Sequence, residues 1–274
     1  TPRRNAPSQP FRRLPTPRFM TLYLVYLDRE HLGDPLFLQG LAQAISRSRA
    51  GEPPCILLHG SGEKVERTLE AEGIFPDRVG GVLDVDEPDH LDLVERAVRE
   101  VNQQVVGTLT DEVVSTVGIQ GDKRNLFRRD ADGTLQVGSV GWIEALVQQR
   151  VVPVLSALAD DAAAGRVREV WAADLLPALA EAVDESFTPT AVFFTATDDP
   201  GLPGHIPEPS DAHVAVDAGE VAREALADVL SEPEAVTRGL EAGLPALLTT
   251  PAAFADEDGP RGTLLRPRSS APRR

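Results

Sequence analysis

The stretch CILLHGSGEKVERTLEAEGI, Cys55 to Ile74, decides the fold. Its first four residues are apolar without alternation, the pattern of a parallel strand buried on both faces. His59-Gly-Ser-Gly62 follows as a turn, and Val65 and Leu69 then recur at helical spacing within a charged segment. In strand-turn-helix units of this kind, glycine lets backbone N–H groups approach an anion beyond the carboxyl end of the strand. Glycines also serve ordinary strand-to-helix corners. The turn alone therefore leaves two readings open for Gly60, Ser61 and Gly62: a ligand cradle, or a corner of the chain.

Working outward, residues 22–27 form a β-branched and aromatic run of strand length, and residues 28–34 read as a polar turn. Pro35 opens a helix with Leu38, Leu41, Ala42 and Ile45 on one face. Downstream, residues 91–106 place Leu93, Val94, Ala97, Val98, Val101 and Val105 on one helical stripe, and residues 113–119 read as a strand. A hairpin around residues 130–133, a helix over 142–149 and a strand over 151–155 follow. Then come a helix over 174–183, a strand over 191–195, a turn at Asp198-Asp-Pro-Gly201, a helix over 218–230, and late strands at 245–249 and 263–265. Strands alternating with helices predict an α/β fold, a mostly parallel central sheet sandwiched by helices in three α/β/α layers.

Charge divides the chain. The formal net charge is -16, yet residues 1–20 hold five arginines and no acid, and residues 266–274 hold four more. Both ends read as disordered basic tails, and Met20 stands where ordered sequence begins. Nine of the 27 basic residues lie in these ends, so residues 21–265 carry 18 against all 43 acids, a formal -25. Such a body repels nucleic acid. The single cysteine, Cys55, excludes an intramolecular disulfide and reads as a buried thiol; the five scattered histidines show no metal-ligand spacing. With no apolar run of membrane length and no secretion signal, the expectation is a cytoplasmic protein with no membrane partner. His59, Trp142 and Trp171 read as structural residues.

Several segments, in order, resemble the acetylglutamate kinases of the amino-acid kinase family. Residues 55–74 look like that family's second strand and His-Gly-Gly-Gly loop, with the helix ending in Leu-Gly-Ile. Val101-Asn102-Gln-Gln-Val-Val resembles its Val-Asn-Lys-X-Leu-Val helix, and residues 118–127 its Gly-Leu-Ser-Gly-X-Asp-Gly-X-Leu turn. Ala173-Asp174 matches the end of Asn-X-Asn-Ala-Asp, Thr197-Asp198-Asp-Pro-Gly201-Leu202 matches Thr-Asp-Val-Pro-Gly-Leu, and residues 262–265 look like the closing strand. The related kinases acting on acetylaminoadipate share these signatures. The resemblance implies one domain over 21–265, with an acceptor-substrate half (21–160) and a nucleotide half (161–265). It also implies phosphoryl transfer from Mg-ATP to the side-chain carboxylate of an N-acylated acidic amino acid, and a homodimer or larger homo-oligomer.

Carried over residue by residue, the resemblance makes Gly60, Ser61, Gly62 and Asn102 substrate-binding, Thr197, Asp198 and Gly201 nucleotide-binding, and Asp174 a catalytic organiser, with no metal ligand from the protein. Arg29 and Arg223 would stand in for the two catalytic lysines. The departures are specific. The family's Lys-X-Gly-Gly loop falls on Tyr26-Leu27-Asp28-Arg29, and its substrate arginine falls within Gly81-Val82-Leu83-Asp84. The chain has only two lysines, Lys64 and Lys123, at neither expected place. A guanidinium does not reproduce an ammonium's point contact, and Asp28 puts negative charge where phosphate would lie. Three readings stand: a divergent active kinase, a non-catalytic regulatory or assembly partner, and a different small-metabolite binder.

Overall fold

The structure is a computed structural model that describes residues 20–47, 54–208, 211–256 and 258–268. In chain order the elements are β1 (Met20–Leu27), α1 (Arg29–Gly33), α2 (Pro35–Arg47), β2 (Cys55–His59), α3 (Lys64–Ala71), β3 (Arg78–Val79), β4 (Val82–Leu83) and α4 (Pro88–Asp111). Next come β5 (Thr116–Gln120), β6 (Phe127–Arg129), β7 (Leu135–Val137), α5 (Gly141–Gln148), β8 (Val152–Ser156), β9 (Leu158–Asp161), β10 (Arg166–Glu169) and α6 (Ala172–Val183). The chain continues through β11 (Phe187–Phe194), β12 (His213–Asp217), α7 (Arg223–Ala227), α8 (Pro233–Glu241), β13 (Ala246–Thr249), α9 (Pro251–Phe254) and β14 (Gly262–Arg266).

Eight strands make the main sheet in the order β12-β14-β13-β11-β1-β2-β8-β5. All pairings are parallel except β13 with β14. The central strands are apolar on both faces because both faces are covered. From β1, Leu22, Leu24 and Tyr26 enter the core shared with α5, α6 and α8, while Val25 and Leu27 enter the core shared with α2, α4 and α9. This is the three-layer arrangement that the alternation of strands and helices predicts. A third, smaller core joins α3 and α4 through Val65, Leu69, Val94 and Val98, reaching Leu158 of β9.

The structure corrects several expectations. Residues 28–34 are not an open turn: Asp28 accepts from the His31 N–H at 2.9 Å and caps the one-turn helix α1. The strand expected from 113 starts at Thr116, since Val113 has φ 64, outside any strand geometry. The helix expected over 218–230 shrinks to α7, because the Asp217 side chain takes the Gly219 N–H at 2.7 Å and turns the chain there. The sequence reading omits β3, β4, β9, β10, β12, α8 and α9. Of the two expected tails, residues 1–19 and 269–274 lie outside the described residues, but Met20 and Arg266 belong to strands, with Arg266 paired to Asp217.

Candidate functional site

Parallel register aligns the carboxyl ends of three central strands: Leu27 pairs with His59, and His59 with Ser156. The turns after β1 and β2 therefore face one another, and the β9–β10 hairpin is stitched against them. Ala157 N–H donates to His59 O at 2.8 Å, and Val170 N–H to Ala157 O at 2.9 Å. These two bonds place Glu169, the last residue of β10, over the glycine turn.

The glycine turn holds a carboxylate, and the carboxylate is the chain's own. Ser61 N–H donates to Glu169 Oε1 at 2.6 Å. A Cβ on Gly60 would lie 2.8 Å from that same oxygen, so glycine is needed for the close approach. Burial pushes the Glu169 carboxyl above the usual range, opposed by the Ser61 N–H. A second carboxylate, from Glu232 at the start of α8, closes the other side. It accepts from the Tyr26 hydroxyl at 2.5 Å, from Arg29 N–H at 3.1 Å and from Trp171 Nε1 at 3.5 Å. Burial, with Glu232 alongside, raises the Tyr26 phenol well above its ordinary value. Trp171 fills the roof by packing where a Cβ of Gly81 would stand, 2.2 Å from its ring. About 20 Å3 remains free among Tyr26, Arg29, Gly60, Arg78, Glu169 and Trp171, room for about one water molecule.

The cations near this site are already engaged. Arg29 Nη1 lies 3.4 Å from Glu66, and Arg78 Nε lies 2.7 Å from the same carboxylate. Arg78 also donates to Gly81 O at 2.9 Å and Gly62 O at 3.3 Å. Asp174, in the first turn of α6, pairs with Arg238 at 2.8 Å, and Arg238 lies 5.9 Å over the Trp171 ring. Burial nevertheless leaves the Asp174 carboxyl raised. Arg223 lines a separate cavity of about 400 Å3 with Trp171, Thr237 and Arg238.

Of the residues singled out from the sequence, Arg29 and Gly60–Gly62 thus share the small cavity, Ser61 and Gly62 also line a neighbouring one of about 560 Å3, and Arg223 lies across Trp171 from the first. Asn102 is buried elsewhere in the polar interior. Its Nδ2 donates to Val154 O at 2.9 Å and to His59 Nε2 at 3.0 Å, and its Oδ1 accepts from Gln120 at 3.3 Å. The turn at 197–201 is held from within: Thr195 Oγ1 meets Thr197 O at 3.1 Å and Asp199 O at 2.8 Å, and Gly201 packs on Thr263 with φ 139. Sequence reasoning missed Glu169, Glu232, Arg78 and Arg238. Glu232-Pro233 carried a usable sign, since proline at a first helical position marks the start of α8. Nothing local marked Glu169. Among the described residues no group of three or more His, Cys, Asp or Glu converges as a metal site, and no helix is long and apolar enough to cross a membrane.

A mostly parallel sheet between helix layers, with a glycine turn at the strands' carboxyl ends, defines a three-layer α/β class in which ligands gather at those ends. No family model matches the chain. Over 193 residues it is 30% identical to the acetylglutamate kinase of Deinococcus radiodurans, covering 66% of this chain and 72% of that protein. To the acetylglutamate kinase of Chloroflexus aurantiacus it is 28% identical over 129 residues, 46% of this chain and about half (49%) of that protein's length. Its fold is similar to that of N-acetylglutamate synthase from Neisseria gonorrhoeae in complex with coenzyme A and N-acetyl-glutamate. That likeness has a TM-score of 0.63 at 17% identity and covers 92% of this chain and 61% of that one. The chain belongs to the acetylglutamate kinase family of amino-acid kinases.

Proposed function

We propose that this chain is a non-catalytic member of its family, kept for a regulatory or assembly role rather than for phosphoryl transfer. One observation carries the reading: the Ser61 N–H that would face an incoming anion is taken at 2.6 Å by Glu169. Phosphoryl transfer between two anions needs cations and free N–H donors where charge moves. Here the second inward N–H, that of Arg29, is taken by Glu232 at 3.1 Å, and Arg29 and Arg78 share Glu66. The residues present do not fit Mg-ATP, because a triphosphate would enter beside two carboxylates, and Lys64, which lines the cavity next to Ser61 and Gly62, is paired with Glu100 at 2.7 Å.

An active kinase is the second reading, and the Asp174–Arg238 pair favours it by keeping an aspartate in contact with a cation at the start of α6. One experiment separates the two. Thermal-shift titrations with Mg-ATP, N-acetylglutamate and N-acetylaminoadipate, followed by a coupled turnover assay, should give no nucleotide shift at millimolar concentration and no turnover. Turnover that is lost in Asp174→Ala would establish the active reading instead.

A further inference from the structure

We propose that Glu169 is an internal ligand, occupying in cis a receptor at the glycine turn that a small aliphatic carboxylate takes when Glu169 is removed. The inference deepens the non-catalytic reading of this site and rests on it. Three features of the geometry support it. First, the contact is that of a bound ligand: a 2.6 Å charge-assisted bond from Ser61 N–H, over a Gly60 with no side chain to obstruct it. Second, the receptor is only half satisfied. Ser61 Oγ and Glu169 Oε2 are both buried, and the hydroxyl lies beside the carboxylate without forming a well-aligned hydrogen bond. A smaller carboxylate, free of the β10 backbone, can turn to meet both the hydroxyl and the N–H. Third, Arg78 holds a positive charge beside the carboxylate, fixed by Gly62 O, Gly81 O and Glu66. Opposing it, Glu232 lies beyond Glu169 and repels it, so the internal ligand is held less firmly than the donors alone would hold it.

The side chain of Glu169 enters from the β9–β10 hairpin, whose attachment through Ala157 and Val170 is made by backbone atoms and survives truncation of the side chain. Glu169→Ala should therefore leave the hairpin in place and open a space of carboxylate size. The probe is acetate, compared with chloride at equal ionic strength, using the full chain. Acetate in tenfold excess over its dissociation constant should raise the melting temperature of Glu169→Ala by about 3 °C over chloride. The parent chain should show no such difference. Glu169→Gln, which keeps a carbonyl oxygen for Ser61 N–H, should be equally insensitive. Loss of acetate selectivity in Glu169→Ala, or an equal acetate effect in all three proteins, overturns the proposal.

Should Glu169→Ala fail to fold, the Ser61 amide proton decides. It should lie far downfield in the parent and move upfield in Glu169→Gln as the charged acceptor becomes neutral. An unchanged Ser61 resonance overturns the proposal. The Mg-ATP assay is independent of both readouts, so turnover would count against the non-catalytic reading, whereas missing acetate rescue counts against the internal ligand alone.

Discussion

His59 ends β2 with no accessible surface, and its neighbours assign both ring nitrogens. Nδ1 lies 2.8 Å from Gly60 O and so carries the proton, leaving Nε2 to accept from Asn102 Nδ2 at 3.0 Å. A second proton would have to face the Asn102 amide N–H in a buried interior. Burial accordingly pushes the imidazole down from 6.5 to about 4. Because the folded value is depressed, the neutral ring contributes stability fully above pH 6.5, and that contribution is lost as pH falls toward 4, up to about 3 kcal/mol. Nitrogen-15 shifts of His59 should therefore report a neutral Nδ1–H ring at pH 5.5; a midpoint near 6.5 would refute the assignment. The structural role of His59 is legible in the sequence, since an imidazole closing an apolar strand has to be neutral and paired. Asn102 is different: it reads as a substrate contact by resemblance, and only the fold shows its amide spent on His59, Val154 and Gln120.

Among the elements, the β3–β4 hairpin has one strand fixed by packing and the other by a polar tether. Its two strands have two residues each: β4 is anchored by Leu83, buried in the core between α3 and α4, whereas Phe75 and Val79 on the β3 side are exposed at 78% and 60%, so the hydrophobic effect holds that side weakly. Arg78 supplies the tether, linking it to Glu66 of α3 and to the glycine turn. Arg78→Ala should leave global unfolding almost unchanged, with a loss of about 1 kcal/mol, yet raise amide hydrogen exchange at residues 78–83 many-fold. Exchange as slow as in the parent would show that packing, not Arg78, fixes the hairpin. This element also shows why part of the fold was illegible. The long strands announce themselves by apolar runs, and α2 and α4 by their stripes. In β9 and β10, Leu-Ala-Asp-Asp and Arg-Val-Arg-Glu carry charges in half or more of their positions, although Leu158 and Ala159 of β9 are fully buried against two of the cores. An apolar run or alternation, the chief sequence signal for strands, is absent there, and with it went any warning that Glu169 ends such a strand. The glycine turn itself was legible; its occupant was not, because Glu169 lies 108 positions away along the chain from Ser61.

At the scale of the whole molecule, charge decides the response to its surroundings. Between residues 21 and 265 the chain carries 43 acids against 18 basic residues, so about 25 carboxylates lack a counter-charge in the body. Several of the ion pairs involve half-exposed partners, such as Lys64–Glu100 at 44% and 45% and Arg238–Asp174 at 52% and 32%. Exposed pairs of this kind add little, roughly 0 to 1 kcal/mol each. Two opposing salt effects follow: screening weakens these pairs, and screening also relieves repulsion among the excess carboxylates. The second should win, because repulsion acts among all the unpaired acids, whereas each weakened exposed pair is individually small. Raising sodium chloride from about 0.05 to 1 M shortens the screening length from more than 10 Å to about 3 Å, below the spacing of most surface carboxylates. The melting temperature should then rise by several degrees, with most of the gain below about 0.5 M, where the screening length changes fastest. A melting temperature that fell with salt would mean that the paired charges, rather than the excess acids, dominate this fold's electrostatics. Repeating the titration with a neutral osmolyte of equal osmolality separates the charge effect from general exclusion, since an osmolyte stabilises compact states without screening.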